Sequence, residues 1–411
     1  MRRWVSKRLD FSAADWLFAL RACATAGPAD AAGRVERLWS PDGHGMAGLS
    51  VRSLFDLYLA AAGWGRGDRI VFTAITVADM PCVARERGLE VATVEMDPVT
   101  TEPDLPALAA ALTPNTRALV FTHLYGARVD VEPALALCRA RGVRFIEDCA
   151  EAYAGPRWRG HADADVALFS FGPIKTATAF GGGLARVADA GVLARMRQIA
   201  EAYPEQARAE YLRRVLKYGA LGVAGLPRVF GPLVAVARAF GVGHDALIHS
   251  LTRGFSGPDF FRQIRRRPCG PLLRVLGHRL RQGDAPWRRR VAGGERLVGD
   301  LAGVDVPAAA ARPHAYWLIP VIAADPAALI ARLEQGGFNA TRGRAFAVVE
   351  SDAGVAAPEP VAARALHERV VFLPFSPEMP ERVLARLARI VREEAGPDSP
   401  GSSRRADPGS A

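Results

Sequence analysis

Residues 145–155 read FIEDCAEAYAG and residues 164–183 read ADVALFSFGPIKTATAFGGG. One apolar run ends in Glu147-Asp148 and a second in Ser170-Phe171. Lys175 follows that serine by five positions, and Gly181 to Gly183 close the stretch. Short apolar runs that finish in polar residues have the pattern of parallel strands buried on both faces. In an open α/β sheet, ligands bind at the carboxyl edge of such strands. The expectation is a large, mostly parallel sheet with helices on both faces, presenting a carboxylate, a hydroxyl and an amine along one rim.

That trio suits pyridoxal 5'-phosphate, which needs a lysine for its Schiff base, an acid beside its pyridine nitrogen and donors for its phosphate. The stretch resembles the DegT/DnrJ/StrS family of pyridoxal-phosphate sugar aminotransferases. There the acidic strand reads roughly EDAA followed by Gln, Glu or His, and the lysine strand reads SFxxxK before a threonine and a glycine cluster. The resemblance implies a fold-type-I transferase with a large sheet domain and a smaller C-terminal α+β domain. It implies that Lys175 carries the cofactor and acts in catalysis, that Asp148 keeps the ring nitrogen protonated, and that Ser170 binds the phosphate. Glu151, three residues after Asp148, takes the position of the family's Gln, Glu or His near the ring and the substrate.

Other segments extend the match. Ser50-Val51-Arg52-Ser53 opens LFDLYLAAAG, whose Leu54, Leu57, Tyr58, Ala61 and Ala62 share one helical face before a stop at Gly63. A helix N-terminus offers free amides to a phosphate. The family usually has SGT or SGR-type residues here, so the resemblance implies that these four residues are the second half of the phosphate cradle, an ordinary serine N-cap being the alternative. Val51 stands where the family usually has glycine. Val77, beyond the strand GDRIVFTAIT, stands where many relatives place an aromatic against the cofactor ring. His123, within THLYG, matches the family's HxYG, and both a pocket-facing histidine and a buried structural one fit it. Between them, RALVFTHLYGARVDVEPALALCRARGVRFIED reads as strand, helix and strand, with Asp130 as cap, Pro133 in the first turn and Gly142 as stop. His161, Asp163 and Asp165 form an HxDxD string, read as structural and not as a metal site.

The chain divides into an N-terminal segment over 1–40, the cofactor-binding large domain over 41–200, a helical arginine-rich insert over 201–290, a small C-terminal domain over 291–395 and a tail over 396–411. The N-terminal segment contains one helix candidate, Ala13 to Ala24. The family's GxNxRM-type loop has no counterpart in the insert. In its place residues 216–242 are apolar but broken by prolines and glycines, which suits a packed helical hairpin or a segment lying on a membrane surface better than a spanning helix. Ten arginines then fall between Arg262 and Arg290, with Asp284 as the one acid. They suit ion pairs on a solvated face, or a site for a diphosphate, a lipid headgroup or nucleic acid. The tail has the composition of a disordered segment.

Composition sets wide limits. A chain of 411 residues, half of them hydrophobic, supports a large core. The five cysteines are scattered without a CxxC, which suits a reducing compartment, and a cytoplasmic location is the expectation. A net charge of +10 favours anionic partners. The expected activity is transfer of an amino group from an amino acid, L-glutamate foremost, to a keto-sugar carried on a nucleotide, by a homodimer. Polysaccharide or secondary-metabolite biosynthesis is the setting that the family implies. A peripheral membrane contact stays open and nucleic acid is not an expected partner. The alternative reading is a non-catalytic relative, a scaffold or regulator on a membrane or nucleic acid, to which Val51, Val77 and the absent loop point.

Overall fold

The computed structural model describes residues 3–155, 157–239, 257–343, 346–355 and 357–395, so the tail lies outside the described residues. In chain order its strands are β1 (Gly45–Gly48), β2 (Arg69–Thr73), β3 (Ile75–Val77), β4 (Glu90–Val94), β5 (Thr116–Thr122), β6 (Arg144–Asp148), β7 (Val166–Ser170), β8 (Gly183–Val187), β9 (Ile319–Ile322), β10 (Phe346–Val348) and β11 (Val370–Leu373). Seven of them form one sheet in the order β1-β8-β7-β6-β5-β2-β4. β4, β2, β5, β6 and β7 run parallel, and β8 is antiparallel to both of its neighbours. The α/β expectation is met.

The alternation of side chains explains why the strands read as continuous apolar runs. Ile70, Phe72, Val120 and Ile146 point to the face covered by the helix Val51–Ala62. Their neighbours Val71, Leu119, Phe121 and Phe145 point to the face covered by the helices Leu105–Ala111 and Glu132–Ala140. With both faces buried, each large side chain contributes roughly 1.5–3 kcal/mol of burial, and polar residues survive only at the strand ends. The parallel register brings Thr122 beside Asp148, and β7 ends at Ser170 on the same rim.

The helix Val51–Ala62 starts and stops where its sequence indicates. Ser50 Oγ accepts from the amide of Ser53 at 3.1 Å, and Gly63 takes a left-handed φ of 74°. The next cap differs from the expectation: Asp130 accepts from the amide of Glu132, while Val131 occupies the cap position of Glu132–Ala140. The HxDxD string lies in the turn before β7. His161, Asp163 and Asp165 pair separately with Glu132, Arg139 and Arg144.

The C-terminal part pairs β9 with β11 and packs them against the helices Pro326–Gln335 and Glu381–Ala395 through Leu329, Leu333, Leu387 and Val391. β10 pairs with β3 of the large domain, a strand pair that no local pattern announced. The N-terminal residues cross the molecule: Trp4 bridges to Phe338 and Lys7 to Phe375, whereas the helix Ala13–Ala24 lies against the insert.

Within the insert, the helices Arg208–Ala224 and Pro227–Ala239 meet at a bend of 88° between their described parts. No single helix among the described residues is long and apolar enough to cross a membrane. Of the apolar segment 216–242, whose last three residues lie outside the described ones, Tyr218, Phe230 and Val234 are buried, whereas Leu216, Val223 and Leu233 are exposed. The arginines are spent mostly inside the protein. Arg265 pairs with Asp56, Arg266 with Glu210 and Arg279 with Asp15, and Arg267 and Arg274 donate to backbone carbonyls.

Candidate active site

Lys175 sits in the loop after β7 with its ammonium 3.2 Å from Glu151 Oε1. The other oxygen of Glu151 accepts from the amide of Tyr125 at 2.9 Å. Glu151 is fully buried, and burial pushes its carboxyl up against the opposing pull of Lys175. Tyr125 adopts a positive φ of 63°, a costly conformation for a bulky residue, and the turn aims its amide at this carboxylate. Gly126 follows because no side chain fits: a Cβ there would lie 2.6 Å from the amide nitrogen of Trp317. The HxYG pattern is thus a turn on which a distant segment rests.

That segment supplies Trp317, which the sequence reading did not select. The Lys175 ammonium lies 3.8 Å from the Trp317 ring centre, and the indole Nε1–H donates to the carbonyl of Ile174 at 2.9 Å. The indole therefore braces the loop that carries the lysine and also offers it a π-face. From the N-terminal segment, Asp10 Oδ2 accepts from the amide of Ala177 at 2.9 Å.

Asp148 ends β6 and is buried, and among the described residues its side chain accepts only from the amide of Ala150, at 3.0 Å. Burial pushes its carboxyl up, while that hydrogen bond and the positive charges of Lys175 and Arg52 oppose the shift. Such a carboxylate is matched to a cationic N–H partner.

The third group is the cradle. Ser170 pairs in register with Gly183, and Gly183 with Gly48 across the antiparallel strands. A Cβ on Gly183 would lie 2.8 Å from the carbonyl carbon of Ser50 and 2.9 Å from the nitrogen of Val51, so only glycine lets the helix start approach the sheet. The amides of Val51 and Arg52 belong to the first turn and have no intrahelical acceptors. The Arg52 side chain itself is committed to Asp79, at 2.5 Å.

His123 stands apart from this group. Its Nδ1 accepts from the amide of Val129 at 3.3 Å, which leaves Nε2–H to donate to Glu147 Oε1 at 2.9 Å. Burial pushes the Glu147 carboxyl up, but the hydrogen bonds of His123 and the His161 amide prevail and hold it below its usual range. Of the two sequence alternatives, the buried hydrogen-bonded histidine is the one the coordinates show. Cys149 lies near both residues, yet these internal bonds already occupy the histidine nitrogens and the glutamate oxygens. Val77 lies at the end of β3, opposite Phe346 of β10, where it forms part of the junction with the C-terminal part. A cavity of about 540 Å³, lined by Glu36, Ser53, Leu57, Arg197 and Cys269, shares Ser53 with the expected cradle but does not include Lys175, Asp148 or Glu151.

The model of the DegT/DnrJ/EryC1/StrS aminotransferase family matches residues 43–220. The chain is 35% identical over 144 residues to a pleiotropic regulatory protein of Geobacillus stearothermophilus, covering 34% of this chain and 38% of that one. It is 31% identical over 208 residues to a GDP-perosamine synthase of Caulobacter vibrioides, covering 48% of this chain and 56% of that one. The matched part thus spans about half the length of these curated relatives or less. The fold extends further: the aminotransferase TlmJ from Streptoalloteichus hindustanus superposes with a TM-score of 0.68 at 20% identity, covering 94% of this chain and 97% of that one. Residues 43–220 thus match the model of the DegT/DnrJ/EryC1/StrS aminotransferase family, and the fold of TlmJ extends over most of the chain.

Proposed function

We propose that the chain is a pyridoxal-phosphate aminotransferase that moves an amino group from an amino acid, L-glutamate foremost, to a keto-sugar. The observation that carries this reading is the Lys175–Glu151 pair beside the buried Asp148. A nucleotide carrier for the sugar, a homodimeric assembly and a cytoplasmic setting belong to the same proposal and rest on the family alone. The name of the Caulobacter relative supports a nucleotide-linked sugar; that of the Geobacillus relative keeps a regulatory role in view.

The residues present fit the cofactor. Among the described residues Asp148 has no ion-pair partner, which a pyridinium N–H would supply, and the close approach of the helix start to Gly183 brings the amides of Val51 and Arg52 to the rim where β7 ends at Ser170. Bound there, the cofactor would provide an electron sink for the charge left when a substrate carbon loses its proton. Asp148 would hold the positive charge at the ring nitrogen. Ser170, Ser50 and the amides of Val51 and Arg52 would anchor the phosphate by charge-assisted bonds. Lys175, as a free amine, would move the proton, and Glu151 would orient it and accept charge as it protonates. Trp317 would exclude water from that amine.

A visible absorption spectrum of the purified protein, before and after L-glutamate, tests the reading. The expected result is a yellow band that glutamate bleaches, with no such conversion in Lys175→Ala. A protein that stays colourless with added cofactor would sink it.

A further inference from the structure

The chain contains 53 basic residues, of which only Lys7, Lys175 and Lys217 are lysines. Two of those three meet at one indole. The ammonium of Lys7 lies 3.1 Å from the Trp317 ring centre and that of Lys175 lies 3.8 Å from it. Lys7 comes from outside the matched residues 43–220, so no family motif pointed to it.

Its backbone is held firmly. The Trp4 amide donates to Gly337 O, the Asn339 amide to Trp4 O and the Ser6 amide to Asn339 Oδ1, while Asp10 is tied to Ala177 and its carbonyl to Arg279. Lys7 itself bridges to Phe375. The strap thus delivers the side chain to the site by design of the fold.

The Lys7 ammonium nitrogen is wholly buried and has no hydrogen-bond acceptor among the described residues. The acids around it are already engaged: Glu151 with Lys175 and the Tyr125 amide, Asp10 with the Ala177 amide and Arg290. Burial and the neighbouring Lys175 both hold the Lys7 amine below its ordinary range. A contact with a ring face offsets only part of the cost of burying an ammonium. An added anionic oxygen would complete its coordination and favour the protonated form, and an ammonium donates to such an oxygen as a point charge.

We propose that Lys7 is a substrate-binding residue of this site, its ammonium receiving an anionic oxygen of the substrate, either a carboxylate of the amino donor or a diphosphate oxygen of the acceptor. The inference rests on the aminotransferase reading. Two unreactive probes separate the sources: glutarate, a dicarboxylate without an amine, and GDP, a nucleoside diphosphate without a sugar. Their dissociation constants are measured by calorimetry on the cofactor-loaded wild type, Lys7→Met and Lys7→Arg. Lys7→Met is expected to weaken one probe at least tenfold and Lys7→Arg to retain most of the affinity. Loss confined to glutarate assigns the donor, and loss confined to GDP assigns the acceptor. Without probes, Lys7→Met should unfold at the same or a higher temperature than wild type, because an uncompensated buried charge is gone; a purely structural lysine predicts the reverse. Affinities within twofold of wild type for both probes overturn the inference, and Lys7→Gln serves if the methionine variant does not fold. A wild type that still bleaches with L-glutamate while Lys7→Met binds normally separates this failure from failure of the aminotransferase reading.

Discussion

Residues 45–190 and the insert over 201–290 serve one site in opposite ways. In the first region, β5, β6, β7 and β8 are neighbours both in sequence and in the sheet, and β6 and β7 carry Asp148 and Ser170 to a common rim. In the second, the helix Gly270–Leu280 clamps the N-terminal strap. Arg279 Nη1 pairs with Asp15 at 2.5 Å, His278 Nε2 lies 2.9 Å from the same carboxylate, and Arg279 also donates to Asp10 O. Asp10 then accepts from Ala177, two residues beyond Lys175. A motif can supply the reactive groups while a region without motifs fixes the loops that carry them.

The largest expected break of this comparison is Arg279→Met. It takes the guanidinium from the buried Asp15, leaving Ser12, His278 and Gln282 around the carboxylate, and should cost about 3 kcal/mol of stability in denaturant unfolding. An effect under 1 kcal/mol would mean that the insert merely decorates the surface. Acid unfolding sharpens the point. Burial pushes the Asp15 carboxyl up, but Arg279, Ser12 and His278 outweigh it and bring it down to about 2, from an ordinary 3.8. Because the folded value is the lower one, this stabilisation is complete above the ordinary value and is lost as pH falls toward 2. Arg279→Met should therefore lose less stability than wild type across that interval.

Within the motif-bearing region, Glu151→Gln keeps the shape but removes the charge that orients Lys175. Turnover should fall about 100-fold, roughly 2.7 kcal/mol of barrier, while the protein remains folded by circular dichroism. A fall under threefold would deny Glu151 a positioning role. Gly183→Ala places a methyl against Ser50 and Val51, and should cost about 2 kcal/mol of stability and weaken cofactor binding measured by absorbance. Unchanged binding would move the phosphate away from this cradle. Ser50→Ala removes a helix cap, for about 1 kcal/mol in thermal unfolding. A larger loss of cofactor affinity than of stability would assign the hydroxyl to the phosphate as well.

Much of this region was legible because its signals are local. The helix Val51–Ala62 has its cap at Ser50 and its stop at Gly63, and the apolar runs ending at Asp148 and Ser170 are strands buried on both faces. The partners that surround Lys175 were not legible. Trp317 lies 142 positions away, in a segment whose approach depends on the Tyr125–Gly126 turn. His123 shows the limit from the other side, since HxYG matched the family pattern but could not tell whether the imidazole faces the pocket or Glu147.

The sequence by itself determined the sheet, the helix that starts at Ser50 and the order in which acid, hydroxyl and lysine arrive at one edge. Strand and helix periodicity are properties of neighbouring residues, so a single chain displays them. Only the tertiary structure decided that β10 adds to β3, that the arginines of the insert turn inward to Asp15, Asp56 and Glu210, and that Lys7 and Lys175 share one indole. Those contacts join segments far apart in sequence. They are selected by the shape and charge of surfaces that exist only once the core has formed.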